Sequence, residues 1–205
     1  MLKKTVFIST LLALVMVSAN ARGMHHGAAK NNSLGYTSNQ TVNNTSTQGI
    51  AVANIALSEL TDDQKEKLTF MVEEEKVARD VYTHLYDTYG LRIFANITQA
   101  EEQHMSALLA LFDKYNLEVP STIGNTGVFE NSKLQALYDT LTEKGDLSLS
   151  DALEVGVEIE ETDIADLENI LNAGIPEDFK IVYENLLKGS YNHLNAFNNQ
   201  LIRLY

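Results

Sequence analysis

Apolar side chains recur every three or four positions along most of the chain after residue 60, which is the spacing of amphipathic α-helices. The first such run begins after Thr61, which is expected to form a capping box with Gln64, and it ends at Gly90. Its regularly spaced apolar and aromatic residues are Leu68, Met71, Val72, Ala78, Tyr82, Leu85, Tyr86 and Tyr89. The pattern therefore predicts one long helix between Thr61 and Gly90.

The same spacing predicts further helices, separated by glycine, proline and small polar residues. Three long helices are expected at about 96–116, 150–172 and 176–204, and a short one at 132–144. Residues 117–130 contain Pro120 and two glycines, which indicate a long loop. A long connection of this kind places the second and third long helices of a four-helix bundle parallel. Because no alternating strand pattern occurs, we expect an all-α four-helix bundle whose crossover carries the short helix.

The beginning of the chain has a different composition. Residues 1–21 combine two lysines, an apolar run and an A-x-A cleavage site, which predicts a secretory signal peptide. Residues 22–57 are rich in Asn, Ser, Thr, Gly and Gln and predict a disordered polar linker, in which His25 and His26 are expected to be solvated. The remaining residues, 58–205, have the size of one domain. We therefore expect an exported protein, periplasmic or extracellular.

Charge and cysteine content narrow the function classes. The net charge of −13 becomes more negative when the two leader lysines are removed, which argues against nucleic acid or an anionic membrane as partner. No later apolar run is long enough to span a membrane, so no membrane insertion is expected after cleavage. The chain contains no Cys, so any metal must be held by oxygen and nitrogen ligands. Such ligands favour iron, manganese, copper or zinc.

A carboxylate and an imidazole three positions apart, Glu101 and His104, are the first candidate ligands. They lie about 60° apart on one helix face, so both side chains can reach a single metal ion. By itself this spacing is also typical of a solvated acidic helix face. Matching polar groups on the inward faces of the other helices are needed to distinguish a metal site from such a face.

The first helix carries three consecutive acids, of which Glu75 shares the apolar face. A buried carboxylate there is costly unless it is paired or bound to a metal. Glu74 is the second candidate for burial, and Glu73 is expected to be solvated. Tyr82 follows on the face of Glu75, where it can donate a hydrogen bond to a ligand from another helix. The alternative for Tyr82 is an ordinary core tyrosine.

The third and fourth long helices each carry polar residues on their inward lines. Glu160 stands where a leucine is expected, with Asp163 three residues later, and Gly156 is expected to leave room for an ion or small ligand. On the fourth helix His193 lies on the apolar stripe. His84 of the first helix is expected to lie on the surface.

Together the inward residues form a set of ionisable groups on four helices that needs a counter-charge. The set comprises Glu75, Glu101, His104, Glu160 and His193, with Asp163 as a further carboxylate. A dinuclear cation site supplies that charge. In the alternative without metal, the bundle is structural and its acids pair with Arg79 and the histidines.

This arrangement resembles the ferritin-like di-iron carboxylate superfamily, in which two helices each give a Glu and two each give a Glu-x-x-His. The matching positions are Glu75 with its following Tyr82, Glu101 with His104, Glu160, and His193. The segments 73–82 and 189–194 are also similar to the uncharacterised prokaryotic branch catalogued as domain of unknown function 2202. One position departs from the pattern, because Ser190 stands where the fourth helix is expected to supply a Glu. Asp163 replaces that carboxylate, or the second metal is weakly bound, or the site holds one ion.

The resemblance implies two transition-metal ions in the core, iron first and manganese as the alternative, with O2 or peroxide as reaction partner. Reactions in the superfamily include iron oxidation, hydroxylation, peroxide reduction and manganese catalase chemistry, so fold analogy selects none of them. Tyr82 would support a ligand from outside the metal's own shell. A non-catalytic metal-buffering module is the second interpretation. The sequence is also compatible with a homo-oligomer.

Overall fold

The computed structural model describes residue 52 and residues 54–204, and these residues form helices without any strand. The helices are α1 Asp62–Tyr89, α2 Arg92–Lys114, α3 Ser132–Gly145, α4 Leu149–Leu171 and α5 Glu177–Leu204. The all-α class is therefore confirmed. The expected signal peptide and most of the expected linker, including His25 and His26, lie outside the described residues.

Helix α1 begins and ends where its sequence predicts. The backbone N–H of Gln64 donates to Thr61 Oγ1 at 3.2 Å, and the backbone N–H of Thr61 donates to Gln64 Oε1 at 3.0 Å, which completes the capping box. Gly90 ends the helix with a left-handed φ of +66° and donates its N–H to the Tyr86 carbonyl at 2.7 Å. Local residue types are sufficient to define both ends of this helix.

The apolar spacing predicts that helix α2 begins near Asn96. The helix begins one turn earlier, at Arg92. The additional first turn carries Ile93 and Phe94, which are both buried. Packing of these two side chains therefore extends the helix toward its N-terminus. The other helices agree with the predicted ranges to within one or two residues.

The core consists of two apolar clusters. The Tyr82 cluster includes Phe94 and Phe197, whose rings lie 6.4 and 5.2 Å from the Tyr82 ring. The second, which we call the Met71 cluster, includes Leu108 and Leu186. Helices α2 and α4 both run from the Tyr82 cluster to the Met71 cluster, whereas α1 and α5 run the opposite way. Helices α2 and α4 are thus parallel, as the long crossover predicts.

A polar layer separates the two clusters, because each long helix carries ionisable or hydroxyl side chains at that level. These residues are Glu75 on α1, Glu101 and His104 on α2, Glu160 and Asp163 on α4, and Ser190 and His193 on α5. The apolar clusters above and below limit the access of water to the layer.

The outer face of α1 holds the crossover loop against the helices through buried charges. Lys76 is fully buried, and its Nζ lies 2.6 Å from Asp80 Oδ2 and 3.1 Å from the Val128 carbonyl. Glu73 Oε1 accepts a hydrogen bond from the Glu130 N–H at 2.7 Å. The prediction that Glu73 is solvated is therefore wrong, because the loop covers the face on which it lies.

Residues before α1 also contact the helical domain. The carbonyl of Val52, a residue within the expected linker, accepts a hydrogen bond from Lys114 Nζ at 2.9 Å, and its side chain packs against the Met71 cluster. In the described part of the chain, no helix combines the length and the apolar character that a membrane span requires.

Candidate metal centre

The carboxylate of Glu101 lies between two imidazole rings at the centre of the polar layer. Its Oε2 is 2.8 Å from Nδ1 of His104, and its Oε1 is 3.0 Å from Nδ1 of His193. The two rings are nearly stacked, with centroids 5.5 Å apart. Glu101 and His104 meet because they are one helical turn apart, whereas His193 arrives from α5.

Two groups of potential ligands share Glu101. The first contains Glu75, Glu101 and His104, and the second contains Glu101, Glu160 and His193. In each group the potential ligand atoms lie within 4.8 Å of one another. Each group offers two carboxylates and one imidazole, a donor set suited to transition metals such as iron, manganese or zinc. These acidic and histidine residues can therefore hold a metal ion.

Tyr82 supports the second group from the Tyr82 cluster. Its fully buried hydroxyl donates a 2.6 Å hydrogen bond to Glu160 Oε1 and lies 3.4 Å from the Gly156 carbonyl. This leaves Glu160 Oε2 directed toward His193 Nδ1, at 3.5 Å. The expectation that Gly156 leaves room for a ligand is wrong, because the ring of Phe197 packs against its backbone.

Ser190 of α5 binds the carboxylate of Asp163, which comes from α4. The Ser190 hydroxyl hydrogen-bonds Asp163 Oδ2 and also contacts the Leu186 carbonyl at 2.9 Å. Asp163 Oδ1 has no hydrogen-bond partner and is buried. The layer thus gains from α4 a carboxylate that α5 lacks.

Several buried polar atoms in the layer and beside it lack hydrogen-bond partners. They are Glu75 Oε1, Asp163 Oδ1, His193 Nδ1 and both carboxylate oxygens of Glu74. The close contacts of His193 Nδ1 do not have hydrogen-bond geometry. Buried polar atoms without partners are costly, and convergent ones are typical of a site that binds a cation.

A small cavity of about 10 Å³ lies among these carboxylates, with room for a single water-sized sphere. Its lining residues are Glu74, Glu75, Ala78, Glu101, Ile159, Glu160 and Asp163. Glu74, the second candidate of the sequence, therefore faces the layer together with Glu75. Two consecutive residues of α1 can both face the layer because helices on each side of α1 enclose it.

Opposite charges dominate the electrostatics around Glu101. Burial raises its pKa, but His104 and His193 outweigh burial and lower that pKa to about 2. Burial lowers the pKa of each imidazole, and the carboxylates outweigh it. Contacts with Glu75 and Glu101 raise the pKa of His104 to about 11, and Glu101 with Glu160 raises that of His193 to about 10. In the metal-free centre both rings are therefore imidazolium ions at neutral pH.

The pKa values of the other carboxyl groups are raised, in the opposite direction to that of Glu101. Burial, followed by the charge of Glu101, raises the pKa of Glu160 to about 8. Burial raises the pKa of Asp163 to about 7 despite its hydrogen bond from Ser190. The pKa of Glu75 is raised well above its usual value by burial and by Asp163. Protons therefore occupy part of the centre near neutrality, where a metal ion would replace them.

The structure brings the candidate residues together at one level, including Tyr82 beside Glu160. Arg79 is not part of the layer, because its guanidinium binds Asp80 Oδ1 at 2.7 Å. His84 lies half-buried away from the layer and contacts Asp146 Oδ1 at 2.7 Å. The alternative in which Arg79 neutralises the inner acids is therefore wrong, whereas their pairing with the two histidines is observed.

Gly189 allows a close contact between α5 and His104 that the apolar spacing does not reveal. A Cβ atom there would lie 2.6 Å from Cε1 of the His104 ring, closer than any normal contact. The missing side chain thus lets the ring of His104 lie against the backbone of α5. A helical glycine flanked by site residues is the sequence signal that could have suggested such a contact.

We expect Gly189→Ala to displace His104 and to abolish metal binding in the group of Glu75, Glu101 and His104. In a helix interior, alanine ordinarily stabilises the fold by about 1 kcal/mol relative to glycine. A loss of metal binding in Gly189→Ala would therefore result from the collision with the His104 ring. Metal analysis after addition of Zn²⁺ should show fewer bound equivalents than in the parent chain. Gly124→Ala is the control, because a Cβ atom at Gly124 would meet no other residue within 4 Å. Unchanged stoichiometry in Gly189→Ala would contradict the expected displacement.

These features define the class of protein as an all-α domain with a buried carboxylate and histidine layer. The chain belongs to the family described as "Uncharacterized protein domain (DUF2202)", whose profile matches residues 64–203. The predicted resemblance to domain of unknown function 2202 is thereby confirmed.

A relative from an archaeon shares nearly half of the aligned residues. The chain is 49% identical over 146 residues to "Uncharacterized protein MJ0754" of Methanocaldococcus jannaschii, which covers 71% of this chain and 79% of that protein. It is also similar to the solved "hypothetical protein MJ0754 from Methanococcus jannaschii DSM 2661", with a TM-score of 0.71 and 48% identity. That similarity covers 73% of this chain and 86% of the solved chain.

Proposed function

We propose that this protein is an exported, ferritin-like metalloprotein that binds two transition-metal ions in its core and reacts with O2 or peroxide. Iron is the leading metal and manganese the alternative. The observation that supports the proposal is the shared position of Glu101 between two groups that each offer two carboxylates and one imidazole. A single carboxylate between two such groups is suited to bridging two cations.

The residues present fit two such ions. One position would take Glu75, Glu101 and His104, and the other would take Glu101, Glu160 and His193. The hydrogen-bond capacity left unused at Glu75 Oε1 and His193 Nδ1 is available to a metal. When bound, two ferrous ions would supply two electrons for the reduction of O2 to hydrogen peroxide, which also takes up two protons from solvent.

The chain's own residues orient the ligands and exclude water. Tyr82 fixes one oxygen of Glu160 by a 2.6 Å hydrogen bond, so only the other oxygen faces the layer. Ser190 fixes Asp163 in the same manner. The apolar clusters on both sides limit the access of water, which strengthens the interaction of the ligands with a bound cation.

Iron reconstitution tests the proposal directly. The full chain, loaded anaerobically with Fe(II) and then desalted, is expected to retain about two iron ions per chain, as the shared ligand set implies. Exposure to O2 or peroxide should then consume the oxidant. Retention of iron without consumption would support a metal-buffering role instead. Failure to retain any iron, manganese or zinc, with no change in Glu101→Ala plus His104→Ala, would reject metal binding.

Metal binding should strengthen as the pH rises. At about pH 6 the carboxyl groups of Asp163 and Glu160 and both imidazoles hold protons, since their pKa values are raised to about 7, 8, 11 and 10. A cation must displace these protons, so each proton released increases the observed affinity by about tenfold per pH unit. Calorimetric titration with Zn²⁺ in buffers of different ionisation enthalpy measures both the affinity and the number of protons released. An affinity that is equal at about pH 6 and about pH 8 would contradict the protonated state.

A further inference from the structure

An open groove of about 450 Å³ lies between the beginning of α2 and the end of α5. Two arginines, Arg92 of α2 and Arg203 of α5, line this α2–α5 groove. None of its lining residues belongs to either group of potential metal ligands, so the groove is separate from the metal centre. A groove of this volume is large enough for a small organic molecule.

The α2–α5 groove is locally cationic, although the net charge of the chain is −13. Its walls come from residues 88–100 and 185–204, which contain no Asp or Glu. Among the residues that the structure describes, Arg79 binds Asp80, whereas neither Arg92 nor Arg203 has a carboxylate partner. Two guanidinium groups without a carboxylate partner therefore line one groove, where they attract anions.

Helix stability explains only one of the two arginines. Arg203 lies in the last turn of α5, at the negative end of the helix dipole, where a cation is favourable. Arg92 is the first residue of α2, at the positive end, where a cation is unfavourable. That turn contains no acid and no side-chain cap that would compensate the charge of Arg92. An anion in the groove would compensate both guanidinium groups.

We propose that the α2–α5 groove binds a small organic anion whose carboxylate or phosphate oxygens pair with Arg92 and Arg203. A guanidinium group presents a planar pair of N–H donors that matches either kind of oxyanion. The side-chain amides of Asn96, Asn199 and Gln200 line the same groove and offer further hydrogen bonds. The proposal uses no residue of the metal centre and does not rest on the proposed function.

The apolar part of the groove favours an organic anion over an inorganic ion. Ile93 and Ala196 line the groove, and both also pack in the Tyr82 cluster. The apolar part of an organic anion covers these side chains and removes them from water, whereas an inorganic phosphate ion leaves them exposed. Phenyl phosphate should therefore bind more tightly than inorganic phosphate.

Titration of the metal-free chain with phenyl phosphate, followed by ¹H–¹⁵N nuclear magnetic resonance at constant ionic strength, tests the groove. The amide signals of residues around Arg92 and Arg203 should shift, with a Kd on the order of 1 mM for a ligand of this size. Phthalate is the dicarboxylate probe, and the probe that binds more tightly identifies the preferred oxyanion. Shifts away from the groove, no binding of either probe, or equal binding of phenyl phosphate and inorganic phosphate would overturn the proposal.

Substitutions locate the bound anion. Arg92→Gln and Arg203→Gln should each raise the Kd of the tighter probe about tenfold, the loss expected for one charge-assisted contact. Arg92→Lys keeps the charge without the planar pair of donors, so it should also weaken binding. Lys188→Gln is the matched control, because Lys188 is an exposed cation of α5 that does not line the groove. The same Kd in Lys188→Gln and Arg92→Gln would show that net charge alone attracts the anion, which would reject the site.

Discussion

In Glu101→Gln we expect both histidine-containing metal positions to be lost together. Glu101 has one oxygen 2.8 Å from His104 Nδ1 and the other 3.0 Å from His193 Nδ1, so each position depends on it. A neutral amide has one acceptor oxygen and cannot bridge two cations. A metal at about one hundred times its Kd stabilises the folded state by about 2.7 kcal/mol per position, and the variant should lose that stabilisation.

Thermal unfolding with and without Zn²⁺ measures this effect. The parent chain should melt at a higher temperature when Zn²⁺ is added, and Glu101→Gln should not. Glu102→Gln provides the control, because Glu102 is exposed on the same helix and belongs to neither group of potential ligands. A metal-dependent shift of the same size in Glu101→Gln would show that the ions bind elsewhere.

Replacement of Lys76 by methionine should destabilise the fold by about 1–3 kcal/mol, because the buried carboxylate of Asp80 loses one charge-assisted partner while Arg79 still binds it. The ammonium of Lys76 lies 2.6 Å from Asp80 Oδ2 and 3.9 Å from the centre of the Phe129 ring. Both side chains of the ion pair are almost fully buried, at 0% and 1% exposed. Denaturant unfolding of the metal-free protein measures the change in free energy.

An exposed ion pair on the same helix supplies the comparison. Lys65 contacts Asp62 at 3.2 Å, with the two side chains 44% and 95% exposed. Solvent screens such a pair, so Lys65→Met should change the free energy of unfolding by no more than about 0.5 kcal/mol. Equal effects of the two substitutions would mean that burial does not increase the contribution of Lys76.

Local sequence signals are sufficient to predict most of the helix ends. The capping box at Thr61 and the left-handed Gly90 define α1 without any tertiary contact. The predicted start of α2 is too late, because its first turn is stabilised by burial of Ile93 and Phe94 rather than by a cap. Helix ends without a side-chain cap are decided by packing, which a single sequence does not display.

The acids of α1 show the limit of periodicity. A helix with one apolar stripe is expected to expose some of three consecutive glutamates, yet Glu73, Glu74 and Glu75 are all buried. Glu73 faces the crossover loop, whereas Glu74 and Glu75 face the cavity in the layer. Periodicity gives the direction of each side chain around the helix axis, but the loop that covers the outer face becomes apparent only in three dimensions.

By itself the sequence determined that the domain is helical and which residues lie on the inward faces, since both follow from the 3.6-residue repeat and from capping chemistry. It singled out Glu101, His104 and His193 in this manner. Only the tertiary structure decided how they combine. Contacts between Glu101 and His193, and between Ser190 and Asp163, join residues of different helices. Such contacts depend on the height and rotation of each helix in the packed core, which no local pattern encodes.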